Sequence, residues 1–242
     1  MTGSVERPAF YAVGRGTGGW RDWLTLLHPP YTMWHLSYVA IGAALAPRLS
    51  MYRLSGALVA FFLAVGIGAH ALDELKGHPL GTGIPRALLA VAAVASVGTA
   101  VTAGALVGGW RLLPFVIVGA LLVVGYNLEL FGGLVHTDAG FAAAWGAFPV
   151  LTGYYTQHWT LTPAAGLAAA AAFGLSWGQR ALSTPVRRLR RQTRTATAIV
   201  VAADGRETHL DRAELIRPLE VALHSFAWGL TLLAAALVVA RA

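Results

Sequence analysis

Apolar residues run along this chain in long blocks rather than in alternation. No charged residue interrupts 23–47, 54–72, 87–110, 112–128, 139–179 or 221–240. A helix that crosses a bilayer needs about 20 mainly apolar residues, and the block 139–179 holds two such lengths. The polar stretch Gln157-His158-Trp159-Thr160-Leu161-Thr162-Pro163 divides it. The pattern predicts an all-α, polytopic transmembrane bundle of about seven spans, near 31–47, 53–72, 85–108, 111–126, 139–156, 162–178 and 219–240. Ala, Leu and Gly dominate the blocks and period-two alternation is missing, which disfavours transmembrane strands.

Composition agrees with the pattern. Hydrophobic residues make up 56% of the 242 positions and charged residues only 12%, against about a quarter in a soluble domain. This excludes a disordered chain and argues for an integral, multi-pass protein with the lipid bilayer as its first partner. The 18 basic and 11 acidic residues leave a net charge of +7. The basic residues sit between apolar blocks rather than along a solvated face, so no nucleic-acid partner is expected. There is no cysteine, hence no disulfide framework or thiol nucleophile.

Charge also orients the bundle. With the N-terminus in the cytoplasm, only Arg48, Arg53, Arg111 and Arg241 fall outside, and all 11 acidic residues lie inside, as the positive-inside rule requires. The polar chemistry then faces the cytoplasm. The expected organisation is a polar, Gly-rich cytoplasmic tail or surface-lying segment at 1–22, a transmembrane bundle at 23–182, a basic cytoplasmic insert at 183–218 and a last span within 219–242. Within the insert, 197–202 is strand-like, Asp204-Gly205 marks a turn and 211–216 is helical. Gly104/Gly108 and Gly174/Gly178 are spaced for close helix packing in lipid. Trp20, Trp23, Trp34, Trp110 and Trp159 lie near block ends, as an interfacial aromatic belt would.

Candidate chemistry concentrates where the second span turns into the third, at His70-Ala-Leu-Asp73-Glu74-Leu-Lys76-Gly-His78-Pro79. His70, Asp73 and Glu74 share one helix face. Two carboxylates beside an imidazole form an end suited to Mg2+, which takes one or two carboxylates plus phosphate and water. The same residues also read as interfacial charges marking a helix end. A second inner segment carries Tyr126, Asn127, Glu129 and His136. If the helices bundle, His70, Glu74, Glu129 and His136 would form a carboxylate–histidine metal set, with an ordinary polar loop as the bland alternative. The basic run 187–194 is a stop-transfer cluster that attracts anionic lipid heads. His28, His35, His158 and His209 have no carboxylate close in sequence and read as ordinary. No Ser-His-Asp order, phosphate-binding loop or dinucleotide fingerprint is present, and the last span has no lysine for a retinal.

Three segments together resemble the UbiA-type intramembrane prenyltransferase superfamily. Leu26-Leu27-His28-Pro29-Pro30 with Ile41-Gly42-Ala43 is similar to its first helix, with His28 where an Arg usually stands. The stretch from His70 through Asp73 to Pro85 is similar to its first aspartate-rich motif. Tyr126-Asn127-Leu128 and Trp145-Gly146-Ala147-Phe148-Pro149 are similar to its fourth and fifth helices. The chain is shorter than the family, and Trp177-Gly178-Gln179-Arg180 stands where a second aspartate-rich motif is expected. The resemblance implies a transferase, or a terpene cyclase, acting on an isoprenoid diphosphate held through Mg2+ at the cytoplasmic mouth. It implies Asp73 and Glu74 as catalytic metal ligands joined by His70, and Lys76, His78, Tyr126 and Asn127 around the substrate. Arg187 and Arg188 are candidate diphosphate contacts that replace part of the missing clamp. The alternatives are a non-catalytic relative that binds an isoprenoid lipid, and the His/carboxylate metal-dependent membrane enzyme.

Overall fold

Local signals in the sequence start most of the helices. In the computed structural model, which describes residues 7–14 and 16–241, a short α1 (Trp20–Leu26) leads into α2 (Pro29–Leu45). Pro29 and Pro30 open α2, where a fixed φ and a missing N–H cost nothing. Helix α3 (Met51–Gly77) is continuous but takes a π-helical form over Phe62–Ala69. Helix α4 (Arg86–Asn127) follows, and then α5 (138–158), π-helical over Ala143–Ala147. Helix α6 (Pro163–Arg191) precedes strands β1 (Thr197–Val201) and β2 (Glu207–Asp211), and α7 (Arg212–Val239) ends the fold. Side-chain caps mark four starts. Ser50, Thr137 and Thr162 each accept a first-turn N–H of α3, α5 and α6. Asp211 and Glu214 form a reciprocal capping box on α7, which satisfies donors that a helix leaves unpaired.

Helix α4 is a hairpin rather than one rod. Gly109 breaks it with φ 58° and ψ −157°, a conformation open to glycine and strained for other residues. Gly108 meets Leu112, and Gly104 meets Val116. Val97 and Val123 share one apolar cluster. These pairs lie symmetrically about Trp110, so the arms 86–108 and 110–127 run antiparallel, as the two expected spans require.

Among the described residues, then, seven long helical segments stand where the apolar blocks predict them. Length and apolarity qualify Met51–Gly77, Arg86–Asn127 and Arg212–Val239 to cross a membrane. Helix α2 falls short because its 17 residues reach about 26 Å against a hydrocarbon core of about 30 Å. Only 6% of the most apolar window of α4 and 17% of that of α7 is buried. Val94, Leu106, Leu167 and Leu232 are among the large apolar side chains left exposed, an outward apolar surface that a water-soluble protein avoids.

Helix α2 is the central element. Its Gly42 sits against the Val150 backbone of α5, and Gly153 of α5 sits against the Val39 backbone of α2, so the two helices touch main chain to main chain. Trp34, Tyr38, Val150, Ala172 and Ala227 then join α2, α5, α6 and α7 in one core cluster. The Gly174/Gly178 pair makes no such contact and faces open space.

The polar segments at the N-terminus and after the sixth expected span pack against the bundle. The N-terminal segment folds over the end of the bundle, with Ala9 and Ala12 buried; residues 1–6 and Arg15 of the expected tail lie outside the described residues. The first part of the basic insert is helical. Helix α6 continues through the arginines to Arg191, because Ser183 and Val186 are buried and hold that turn against Ile216 and Leu223 of α7. Arg190 forms a two-pronged ion pair with Glu220, which fastens α6 to α7. Only 197–211 leaves the bundle, as an antiparallel hairpin pairing Thr197 with Asp211 and Val201 with Glu207.

Candidate functional site

Two buried carboxylates shape one end of the bundle. Asp22 accepts N–H bonds from Gly16 (3.1 Å), Gly18 (2.6 Å) and Gly83 (3.0 Å). It thereby ties the N-terminal segment to the loop after α3. Glu74 is 1% exposed and holds the other side of that loop. Its Oε2 accepts from Leu80 N (3.0 Å), and its Oε1 from Thr82 N (2.8 Å) and Thr82 Oγ1 (2.9 Å), with His78 Nδ1 at 3.1 Å. Both oxygens of Glu74 are therefore occupied by its own chain.

Behind these struts lies a chamber of about 800 Å³. Seven of the nine residues expected at the site line it: His70, Asp73, Lys76 and His78 from the end of α3, Tyr126 and Asn127 from α4, and Arg187 from α6. The other two do not. Glu74 faces the loop for the reason just given, and Arg188 is exposed on the far side of its helix. Helix geometry separates each from its neighbour, since consecutive residues lie about 100° apart around the axis.

The chamber also takes His136 of the alternative metal set, Arg191 of the basic run, and residues that were read as ordinary or passed over. His28 comes from the N-terminal cap of α2 and His35 from within that helix, His136 from the loop before α5, and Gln179, Arg180 and Arg191 from α6. Only tertiary contact reveals them: the rings of His28 and His70 stack at 4.0 Å across 42 positions of sequence. The two π-helical segments border the same space through Val65, Ala69 and Trp145, in keeping with the frequent placement of π-bulges at functional sites.

The polar wall has two chemical characters. His28, His35, His70 and His136 each place Nδ1 2.7–3.0 Å from a backbone carbonyl, of Leu26, Trp145, Gly66 and Tyr126. A carbonyl oxygen only accepts, so each Nδ1 carries a proton and Nε2 is the ring nitrogen left for other partners. Burial, helped by the adjacent His70, pushes His28 well below the ordinary histidine range. The second character is cationic, from Lys76, Arg180, Arg187 and Arg191. Lys76 is paired to Glu129 at 2.6 Å, and this contact holds Glu129 below the usual carboxylate range. Arg180 is paired to Asp138 at 2.8 Å. Arg187 contacts only the Thr184 hydroxyl (3.3 Å) and has no carboxylate partner among the described residues. Burial pushes its guanidinium below the ordinary value, and Arg180 and Arg191 push the same way. Against Asp73 and Glu129 in the lining and Asp138 on Arg180, the four cations leave a formal excess of one positive charge. Two buried polar atoms, Tyr126 Oη and Gln179 Oε1, find no partner in the protein, although buried polar groups are nearly always bonded.

Beside the chamber lies an apolar crevice of about 100 Å³ between α3, the α4 hairpin and α5. Phe61, Val97, Phe115 and Phe148 line it, and Val65 and Trp145 border both spaces.

The expected magnesium clamp does not fit this geometry. Glu74 has no free oxygen, which leaves Asp73 as the one member of the acidic pair at the chamber, facing a set of arginines. The alternative metal set fails similarly: Glu74 belongs to the loop and Glu129 to Lys76. Among the described residues no group of three or more His, Cys, Asp or Glu side chains is arranged to hold a metal ion. No protein-family model, curated protein or solved structure matches this chain.

Proposed function

We propose that this chain is a membrane-embedded, prenyltransferase-like protein that takes an isoprenoid diphosphate, with the head in the chamber and the hydrocarbon tail in the crevice. The observation that carries this reading is that a cationic chamber and an apolar crevice lie side by side and share Val65 and Trp145 in their walls. An anionic amphiphile matches both halves. A water-soluble anion leaves the crevice unused, and a neutral lipid leaves the half-buried Arg187 without an added anion. In this reading all seven helical segments are embedded, the N-terminus is cytoplasmic and the chamber opens on the cytoplasmic side, as the distribution of basic residues supports.

Transfer chemistry at such a site has a definite balance. The allylic C–O bond breaks and the diphosphate leaves with the electron pair, its growing charge met by the guanidinium groups of Arg187, Arg180 and Arg191. A nucleophilic acceptor then bonds to the allylic carbon and gives up a proton. The neutral imidazoles and Asp73 supply acceptors for that proton inside the same chamber. The occupied oxygens of Glu74 favour a second reading, a relative that holds the isoprenoid lipid without transferring it.

Binding of geranylgeranyl diphosphate, compared with geranylgeraniol and with inorganic diphosphate on protein in nanodiscs, tests the shared part. The amphiphile is expected to bind tighter than either fragment; equal binding of the alcohol and its diphosphate overturns the proposal. Release of inorganic diphosphate on adding candidate acceptors separates the transferase from the lipid holder.

A further inference from the structure

Resting on the reading that the chamber takes an isoprenoid diphosphate, we infer that the protein holds the diphosphate directly through Arg187, flanked by Arg191 and Arg180, with Tyr126 Oη as a further donor and without a divalent cation. Four observations lead there. First, both oxygens of Glu74 are committed to Leu80, Thr82 and His78, so the acidic pair presents one carboxylate. Mg2+ takes one or two carboxylates plus phosphate, and the one presented here, Asp73, shares the chamber with Arg180, Arg187 and Arg191, whose like charge opposes a further cation.

Second, Arg187 is a half-buried cation with no carboxylate partner among the described residues. Asp73 of the same chamber acts on it from beyond ion-pair distance, and a partly desolvated charge compensated only at that range is costly, a cost that a bound anion lowers. Third, the neighbouring cations keep donors to spare. Arg191 bonds the Pro8 carbonyl through Nε at 3.1 Å, and Arg180 bonds Asp138 through Nε, which leaves the terminal nitrogens of both for a ligand. Guanidinium groups bind phosphate oxygens in pairs, with charge-assisted bonds about twice as strong as neutral ones. Fourth, Tyr126 is 5% exposed and lines the chamber with an unpartnered hydroxyl. That hydroxyl is a buried donor waiting for an acceptor, and a phosphate oxygen is one.

The sequence fits the same logic. Where an aspartate motif is expected after the sixth helical segment, the chain has Gln179-Arg180 and then Arg187 and Arg191 on one side of α6. An acidic motif would recruit the diphosphate through a metal; these residues recruit it without one.

The test measures binding of inorganic diphosphate and of geranylgeranyl diphosphate to the full chain in nanodiscs, in EDTA and again in Mg2+. The inference expects metal-free diphosphate to bind at least as tightly as in Mg2+, and to weaken as ionic strength rises. Loss of binding in EDTA with recovery in Mg2+ overturns it and leaves the proposed function standing. Failure of both probes under both conditions overturns both. Arg187→Gln is expected to weaken binding by about 10- to 100-fold, with Arg187→Lys between it and the wild type and Arg188→Gln unchanged. Thermal unfolding of each variant, run in parallel, confirms that a folded protein is being compared. Wild-type affinity in a folded Arg187→Gln protein overturns the inference, and the EDTA comparison decides on unmodified protein if that variant does not fold.

Discussion

Replacing Glu74 by alanine separates a structural carboxylate from a catalytic one. In the fold Glu74 is 1% exposed and accepts two backbone N–H bonds, one hydroxyl bond and the contact with His78. A hydrogen bond to a charged group contributes about 1.5–3 kcal/mol, and each buried donor left unpaired costs about 1–3 kcal/mol. Removing the carboxylate strands Leu80 N and Thr82 N together, while relaxation of the loop lets water recover part of the loss. The net expected destabilisation is about 3–5 kcal/mol, the range seen when one partner of a buried charged network is deleted. Glu74→Gln keeps one acceptor oxygen and is expected to lose about 1–2 kcal/mol. Asp73→Asn, at the chamber wall, leaves the loop intact and is expected to change stability by less than about 1 kcal/mol. Denaturant unfolding in detergent, followed by tryptophan fluorescence, reads all three. Glu74→Ala within about 0.5 kcal/mol of wild type, together with lost ligand binding, would refute the strut and restore Glu74 to the site.

Two further perturbations follow from the packing and the buried histidines. Gly153→Leu drives a side chain into the Val39 backbone and is expected to cost at least about 3 kcal/mol, or the folded protein altogether. Gly174→Ala, which faces open space in α6, is expected to gain up to about 1 kcal/mol. The same unfolding assay reports both, and equal effects would contradict the α2–α5 contact. His28 is held neutral by burial and by His70, so the unfolded chain takes up its proton first as pH falls. Its contribution to stability is therefore full above the unfolded histidine pKa of about 6.5 and is lost progressively below it. Unfolding free energies between pH 8 and pH 5 are expected to fall toward the acid end, less steeply in His28→Phe, and a flat profile would contradict the buried neutral ring.

Much of the helical framework was legible in sequence because it depends on local signals. Uninterrupted apolar blocks, Pro29-Pro30, the Thr137 and Thr162 caps and the Asp211/Glu214 box each announce an element within a few residues. Even the α4 hairpin was foreshadowed by the polar break at Trp110-Arg111. The site was legible only by region. Adjacent residues such as Asp73 and Glu74, or Arg187 and Arg188, look equivalent in sequence, yet a step of about 100° around the helix sends one to the chamber and the other away. Contacts such as His28 on His70, or Arg190 on Glu220, depend on how helices dock and leave no local trace. The same holds for the end of α6, where burial of Ser183 and Val186 outweighs the repulsion of a basic run and keeps it helical.

The central claim is that one molecule occupies both the cationic chamber and the apolar crevice. Photo-crosslinking with an isoprenoid diphosphate that carries a diazirine at its hydrocarbon end tests this most directly. The expected adducts fall on crevice residues such as Phe61, Val97, Phe115 and Phe148, compete with unlabelled isoprenoid diphosphate and are lost in Arg187→Gln. Adducts spread over the outer surface, at Leu106, Leu167 or Leu232, and indifferent to the competitor would contradict it.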